Sequence, residues 1–554
     1  MELGPATRQS AEPSTSATEI SEPGAVTPRL PAETTAASHR ATRPARLRFG
    51  GSWPLAAVLA VQALLSLRLV RADTAFEDES AYLWAGHLEW AHLLHGTPLP
   101  PFSSYFSGSP LIYPPLGALA DSVGGLTAAR ILSLVFMLGA SVALWSTTKR
   151  LHGQRAAFFA TALFALLGPT LHLGAFATYD AMSMFLVALA AWLVVRAGDR
   201  EDATVWMLAA GVTLAVANAT AYSSALFDPI VILLALAVAF PKPGGKLAAG
   251  RAVALLAVVT LLVTLGLLIG GSSYLNGVEK TTLARVGGTD TMQSVLASSW
   301  SWTAVIVVAA VGGVIASWVI QPRGAQTWRL TLLAAAALLV PIEQASMHTT
   351  ASLNKHVDLG AWFAAIAAGY TIDKFIAVAP VGNMRAITGG ACVVALSFPI
   401  SLGADQSHAF STSWPNSSAF ITILGPLADH GTGRLLVEDP TIAEYYLHVE
   451  GSQWQRWSST RNIISRLGTP TGGPSDKAGI VGAGNAGTFA MYIKEGYFSL
   501  VALSFSDTVS LDKSIAADLR RNRYYHVIQI VPYGSGPSGP TPGTYVIWRY
   551  EPPS

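Results

Sequence analysis

Charged side chains are scarce in this sequence. Asp, Glu, Lys and Arg together make up 12% of its 554 residues, which is about half of the roughly 25% typical of soluble proteins. The 35 basic residues nearly cancel the 33 acidic ones, leaving a formal net charge of +2. A nucleic-acid partner is therefore not predicted, because such binding needs a strongly basic surface. Most of the chain is not expected to be dissolved in water.

Cysteine and, near the N-terminus, aromatic residues are also rare. The only cysteine, Cys392, lies inside an apolar run, so no intrachain disulfide can form and neither a catalytic thiol nor a cysteine-based metal site is supported. Residues 1–50 are rich in Ser, Thr, Ala, Pro and Glu with almost no aromatic side chains. Because such a segment cannot bury enough apolar surface to fold, it is predicted to be a disordered cytoplasmic tail.

What the sequence has instead is a series of apolar runs. Each is close to the about 20 residues that a helix needs to cross a hydrocarbon core of roughly 30 Å. About eleven spans are predicted, at residues 53–70, 126–145, 157–176, 182–195, 205–219, 226–240, 253–270, 302–320, 330–345, 359–370 and 386–402. The sequence thus predicts an all-α polytopic membrane domain over residues 51–402, with a long first outer loop over residues 71–125.

The loops between these runs fix a predicted orientation in the cell membrane, because basic residues of short loops stay on the cytoplasmic side. Arg43, Arg46 and Arg48 precede the first span, which places the N-terminus inside. Every second loop is then expected to be basic, and each one is: Lys149/Arg150/Arg155, Arg196/Arg200, Lys242/Lys246/Arg251, Arg323/Arg329 and Lys374/Arg385. An odd number of spans leaves the C-terminal part of the chain extracytoplasmic.

That C-terminal part, residues 403–554, is polar and rich in Gly, Pro, Ser and Trp. Its patterns alternate between strand and helix. Strands are predicted at 434–437, 498–505, 526–531 and 544–549, and helices near 442–447, 488–495 and 511–521. We therefore expect a small soluble α/β domain outside the membrane.

Three consecutive carboxylates, Glu77, Asp78 and Glu79, follow the first predicted span on the outer side. The apolar residues of 81–94 are spaced three and four apart, which is typical of an amphipathic helix on a membrane surface. Carboxylates are favoured at a helix N-terminus by the helix dipole. The cluster is therefore either a charged first helical turn without a chemical role or part of a catalytic site.

Four different short motifs lie along the chain at the predicted outer face. They are Asp78-Glu79-x-x-Tyr82, Tyr113-Pro114-Pro115-Leu116, Tyr179-Asp180-Ala181-Met182 and Asn354-Lys355-His356. In these motifs the chain resembles the GT-C class of integral membrane glycosyltransferases. The similarity is to the branch of the protein O-mannosyltransferases and the aminoarabinose transferase of lipid A, over roughly residues 53–400. The C-terminal domain resembles those of actinobacterial members.

The resemblance implies an enzyme that moves a sugar from a polyprenyl-phosphate donor to an extracytoplasmic acceptor, which is a cell-envelope glycan, lipid or protein, with inversion. An acceptor hydroxyl needs a nearby base, and by similarity Asp78 takes that role. Glu79 would orient the site or an acceptor group, and Asp180 would face the same cavity. Lys355 with His356 would stabilise the leaving phosphate. The substrate-binding candidates are completed by Tyr82, Tyr113 and Tyr179.

Some of these assignments have alternatives. The aminoarabinose transferase carries a Glu-Lys-Pro element where this chain has Leu111-Ile112-Tyr113-Pro114. A requirement for a divalent metal therefore stays open. The predicted phosphate contacts are then Lys355, His356 and Arg285. Asp180 is also a good helix cap. Lys355 and His356 also suit a helix end at the membrane interface.

A transporter or flippase for a lipid-linked substrate is the alternative function. Transporters tend to place ionisable residues within their spans and to show repeated halves, whereas the candidate side chains here lie in loops. Gly482-Ala-Gly484-Asn-Ala-Gly487, followed by Asp507, has the spacing of a dinucleotide-binding motif. Only Gly479–Val481 precedes it as a strand, so no cofactor is predicted.

Overall fold

The computed structural model describes residues 52–198, 202–239, 245–285, 287–429, 433–460, 463–465, 479–481, 486–506, 508–533 and 543–552. The predicted disordered tail lies outside these residues. So do residues 482–485 of the glycine-rich motif and Asp507.

The chain is helical up to Asp429. The helices are α1 (Trp53–Leu67), α2 (Glu77–His95), α3 (Tyr113–His152), α4 (Gln154–Ala165), α5 (Gly168–Leu173), α6 (Tyr179–Ala197), α7 (Ala203–Thr220), α8 (Asp228–Ala239), α9 (Gly245–Val278), α10 (Met292–Ile320), α11 (Ala325–Ala335), α12 (Leu339–Ser346), α13 (Leu353–Val378), α14 (Asn383–Ala395), α15 (Ser397–Phe410) and α16 (Ser418–Asp429). The predicted multi-pass helical protein is confirmed.

Nine helical stretches among the described residues are long and apolar enough to cross a membrane. They are 113–152, 179–197, 203–220, 222–239, 248–283, 292–320, 325–346, 353–378 and 383–410. The remaining two predicted spans correspond to α1, which has 15 residues, and to α4 and α5, which are separate helices of 12 and 6 residues.

Helix α3 is interrupted at the outer end of its predicted span. Gly124 and Gly125 leave the helical conformation, and Gly125 has φ 63°, a left-handed value that glycine adopts without steric cost. The predicted span therefore starts where the helix resumes, and the segment before the break packs against α2. A Cβ atom added at Gly86 of α2 would lie 1.9 Å from the carbonyl oxygen of Pro114, so this crossing requires glycine.

Helix α13 occupies the centre of the helical part. It packs against α10, α4 and α11, and every residue from Val357 to Tyr370 is buried. A helix that is apolar on all sides occurs in a protein core or across a membrane, and here the surrounding helices cover it. The start of α13, which carries Lys355 and His356, is therefore held in a fixed position by the core.

The C-terminal region contains a five-stranded sheet with the order β2-β1-β5-β7-β6. Its strands are β1 (Arg434–Val437), β2 (Trp457–Ser459), β5 (Phe498–Leu503), β6 (Tyr525–Tyr533) and β7 (Gly543–Tyr550), and β3 (Ile463–Ser465) and β4 (Gly479–Val481) form a separate antiparallel pair. Strand β1 is parallel to β2 and β5, whereas β7 is antiparallel to β5 and β6.

Three helices complete this region: α17 (Pro440–Tyr446), α18 (Ala486–Lys494) and α19 (Val509–Arg521). The predicted small α/β region is thus confirmed, with the four predicted strands and three predicted helices present. The sequence does not predict β2 and β3, because three residues are too few to show an alternating pattern. The predicted boundary at residue 403 stays a prediction; it falls inside α15.

The sheet packs directly on the helix that carries the three carboxylates. Leu435 and Val437 of β1 join one apolar core with Leu83 and Trp84 of α2, whereas Leu436 faces the core formed with α18 and α19. This division follows from the alternation of side chains along a strand. The C-terminal region and the segment that carries α2 therefore share a core.

Candidate active site

Asp78 lies in the first turn of α2 and points toward the start of α13. Its carboxylate accepts a hydrogen bond from the Lys355 ammonium. Asp78 is 34% exposed and Lys355 8% exposed, so solvent reaches the ion pair mainly from the side of Asp78. The ammonium also lies 5.2 Å from the centroid of the Phe76 ring, within the range of a cation–π contact.

Asp180 and His356 belong to the same cluster. His356 Nε2 lies 3.7 Å from Asp180 Oδ1, and the Lys355 charge interacts with both carboxylates. The other ring nitrogen, Nδ1, lies 3.2 Å from Gln344 Nε2. Thr178 is the N-cap of α6 and Asp180 stands in the first turn, so Asp180 is not the cap. The structure thus brings two carboxylates and two basic side chains together from α2, α6 and α13.

Glu79 lies apart from this cluster and is completely buried. Arg130 of α3 binds its carboxylate with two hydrogen bonds, Nε to Oε1 at 2.8 Å and Nη2 to Oε2 at 2.7 Å. The Ala177 amide donates to Oε1 at 2.7 Å, and the Phe76 amide to Oε2 at 3.4 Å. These partners hold the Glu79 side chain away from the Asp78–Lys355 pair and fix the helix turn that carries Asp78.

Arg130 also holds the loop before α2. Its guanidinium donates to the carbonyl oxygens of Val70 at 2.8 Å, Asp73 at 3.0 Å and Thr74 at 3.2 Å. The sequence analysis does not identify Arg130. A signal was present, because an ionisable residue within an apolar span is rare and usually has a defined partner.

The three candidate tyrosines form an aromatic cluster behind Asp78. The Tyr82 ring centroid lies 4.4 Å from that of Tyr179 and 6.5 Å from that of Tyr113, and the Tyr179 hydroxyl is hydrogen-bonded to Ser107. Burial, together with the charge of Asp78, raises the pKa of Tyr82 well above its usual value, so this hydroxyl remains protonated. Tyr113 is completely buried and supports the cluster from beneath.

The loop before Lys355 is tied to the preceding outer loop. Asp290 Oδ2 accepts hydrogen bonds from the Thr350 amide at 2.7 Å and from its hydroxyl at 2.6 Å. These bonds hold the pKa of Asp290 below its usual range. Ser352, the N-cap of α13, has φ 63°, a value rare for residues other than glycine and common at functional sites. Lys355 therefore stands on a constrained helix start.

The remaining candidates lie elsewhere. Arg285 interacts electrostatically with Glu343. Trp454 and Trp457 are buried, whereas Trp414 is partly exposed and donates from Nε1 to the Thr74 carbonyl oxygen at 3.0 Å.

No group of three His, Cys, Asp or Glu side chains that could hold a metal ion occurs within the described ranges. Because Lys355 already supplies the positive charge between Asp78 and Asp180, these residues do not fit a metal site.

Comparison with known proteins identifies the fold. Residues 118–269 match the family model of dolichyl-phosphate-mannose-protein mannosyltransferase. The structure is similar to ArnT from Cupriavidus metallidurans bound to undecaprenyl phosphate, with 13% identity and a TM-score of 0.56 over 90% of this chain and 98% of that one. No curated protein sequence matches the chain.

A second solved structure agrees. It is the archaeal oligosaccharyltransferase AglB from Archaeoglobus fulgidus in complex with an inhibitory peptide and a dolichol-phosphate, with 13% identity and a TM-score of 0.54 over 88% of this chain and 74% of that one. The chain therefore has the GT-C glycosyltransferase fold, which is the class that the four motifs predict. Its actinobacterial subtype stays a prediction.

Proposed function

We propose that this protein is a membrane glycosyltransferase that moves a sugar from a polyprenyl-phosphate donor to a hydroxyl group of an extracytoplasmic acceptor. Two relatives in fold were solved with undecaprenyl phosphate or dolichol-phosphate, and the matching family model is that of a dolichyl-phosphate-mannose-dependent enzyme. The observation that carries the proposal is the Asp78–Lys355 ion pair at the outer end of the helical core.

The pair suits an inverting transfer. The acceptor hydroxyl attacks the anomeric carbon from the side opposite the phosphate, and Asp78 takes its proton. A new bond forms between the acceptor oxygen and the anomeric carbon, while the bond from that carbon to the phosphate oxygen breaks. The electron pair leaves with the polyprenyl phosphate, where Lys355 and His356 stabilise the developing charge. Asp180 orients His356, and Glu79 with Arg130 holds the turn that carries Asp78.

Before the donor binds, Lys355 is paired with Asp78. A donor phosphate that enters the cluster competes for the ammonium and frees the carboxylate to accept a proton. Donor binding and activation of the base are coupled in this way, because one lysine serves both groups. The topology that goes with this proposal has a cytoplasmic N-terminus and an extracytoplasmic C-terminal domain.

The test is sugar transfer by membranes that contain the full chain, measured with labelled polyprenyl-phosphate sugars. We expect Asp78→Asn to lower the rate by about 10²- to 10⁴-fold, the usual contribution of a general base, with unchanged expression and membrane insertion. Glu279→Gln removes an exposed carboxylate near the C-terminal end of the helical stretch 248–283 and is the matched control. Undiminished transfer by Asp78→Asn contradicts the base role, and movement of labelled lipid across the membrane without transfer supports the transporter alternative.

A further inference from the structure

A cavity of about 470 Å³ lies beside the proposed base, on the side of the soluble region. Its walls come from the N-terminus of α2, from residues 413–415 and from the residues that follow β1 and β5. The volume is within the range of about 300–1,000 Å³ found for small-molecule sites. The carboxyl ends of adjacent parallel strands are also where α/β sheets usually bind ligands.

The cavity is lined by aromatic rings together with carboxylates and hydroxyl groups. Phe76, Trp414 and Phe505 contribute rings, Glu77 and Asp439 carboxylates, and Ser506 a hydroxyl. No Lys, Arg or His occurs among the described residues that line it. Carboxylates repel an anion in the absence of a compensating cation, so this lining disfavours an anionic ligand.

A neutral saccharide matches this lining. Its hydroxyl groups donate hydrogen bonds to carboxylate and hydroxyl oxygens, and its apolar C–H faces pack against the negative faces of aromatic rings. Trp414 and Phe76 are both partly exposed, with ring centroids 5.0 Å apart. Together they offer a continuous aromatic surface at the cavity wall.

One wall of the cavity is rigid. The buried Glu438 carboxylate accepts hydrogen bonds from the amides of Ser504 at 2.7 Å, Ser506 at 3.2 Å and Thr508 at 3.1 Å. Phe505, within this loop, has φ 57°, a strained conformation for a bulky side chain that occurs mostly at binding and catalytic sites. Residues 504–506 are therefore anchored to Glu438 before a ligand arrives, and such preorganisation favours binding.

We propose that this cavity binds the neutral saccharide part of the acceptor, so that the acceptor is a glycan. The inference rests on the proposed function. Glu77 lines the cavity and Asp78 is the next residue, whose Cα is about 3.8 Å away. Asp78 itself is not among the lining residues, but a glycan held between Trp414 and the β5 loop lies next to the helix turn that carries the base.

The test uses the purified full-length protein in detergent on an array of immobilised neutral and acidic oligosaccharides, with a Ser/Thr-rich peptide as a second probe. We expect retention on neutral oligosaccharides. Ser506→Trp fills the cavity from an exposed position and is expected to lower the affinity by about tenfold or more. Ser510→Trp, exposed on α19 and not part of the lining, is the matched control and is expected to bind as the parent does.

A second variant keeps the result interpretable. Ser413→Trp blocks the opposite wall, and both blocking variants are compared with the parent in thermal unfolding. Asp78→Asn is expected to bind neutral oligosaccharide normally, because binding does not need the base. Binding to the peptide alone, or equal binding by both blocking variants and the parent, overturns the glycan inference and leaves the transfer reaction untouched. Glycan binding without any sugar transfer by the parent protein contradicts the proposed function only.

Discussion

Lys355 donates a hydrogen bond to Asp78 across 277 positions of the sequence. The two residues belong to motifs that the sequence places in different outer loops, and the buried helix α13 brings them together. Lys355 is nearly buried whereas Asp78 is one-third exposed. The cation is therefore the fixed member of the pair, and the carboxylate faces the space from which an acceptor can approach.

Replacement of Lys355 tests this pair. Lys355→Met removes the charge that we propose stabilises the leaving phosphate, and we expect transfer to fall by about 10²- to 10³-fold. Lys355→Arg keeps a positive charge and is expected to retain part of the rate. The measurement is the initial rate at saturating donor, and Lys280→Met, at an exposed position near the C-terminal end of the helical stretch 248–283, is the control.

The double variant sharpens the test. If Asp78 and Lys355 act as one unit, Asp78→Asn combined with Lys355→Met loses little more than either single variant. Losses that multiply would show that the two residues act independently and would contradict the coupling proposed between donor binding and base activation.

Arg130 is expected to be essential for stability. Arg130→Met leaves the buried Glu79 carboxylate without a compensating cation, and breaking a buried ion pair costs about 3–5 kcal/mol in the free energy of unfolding. Glu79→Met combined with Arg130→Met removes both charges and is expected to recover part of this loss, but not all, because the carbonyl groups of the preceding loop remain without their donor.

Chemical unfolding in detergent measures these free energies. Arg71→Met, at an exposed position of the same loop, is expected to unfold as the parent does. An Arg130→Met variant of parental stability would mean that the buried pair does not hold the loop.

Much of the fold follows from the sequence alone. The apolar runs predict the spans, because a helix in a membrane makes all of its backbone hydrogen bonds internally. In α3, the predicted span begins just after the helix break at Gly124 and Gly125. The strands β1, β5, β6 and β7 follow from their alternation. The order of helices and strands along the sequence does not predict that the sheet packs on α2. That packing depends on complementary surfaces of elements that are far apart in the sequence.

The candidate site could be predicted only in part. Motif similarity identifies Asp78, Asp180, Lys355 and His356, which the structure brings into one cluster. It groups Glu79 with them, although a one-residue step along a helix turns a side chain by about 100°, here toward Arg130 and away from Asp78. The cavity beside Glu77 has no sequence signal, because its walls come from segments that meet only in the folded chain.

Sidedness is a separate prediction. Because the basic loops alternate along the chain, an enzymatic reporter fused after Ser554 is expected to be active only on the outer side of the membrane. A reporter fused within the loop that contains Arg323 is expected to be active only inside, which makes it the matched control. Activity of the C-terminal fusion in the cytoplasm would contradict the orientation, and with it the access of an extracytoplasmic acceptor to Asp78.

Glu444 gives a prediction on pH. Burial in α17 raises the pKa of this carboxyl well above its ordinary value of 4.5, so the folded state binds the proton more tightly than the unfolded state. Its contribution to stability is therefore complete below pH 4.5 and is lost as the pH rises toward the raised pKa of the folded state. Glu444→Gln cannot ionise, so we expect its Tm to fall less than that of the parent protein between pH 5 and pH 8. The exposed Glu450→Gln serves as control, and equal pH profiles for Glu444→Gln and the parent would show that Glu444 does not titrate differently on folding.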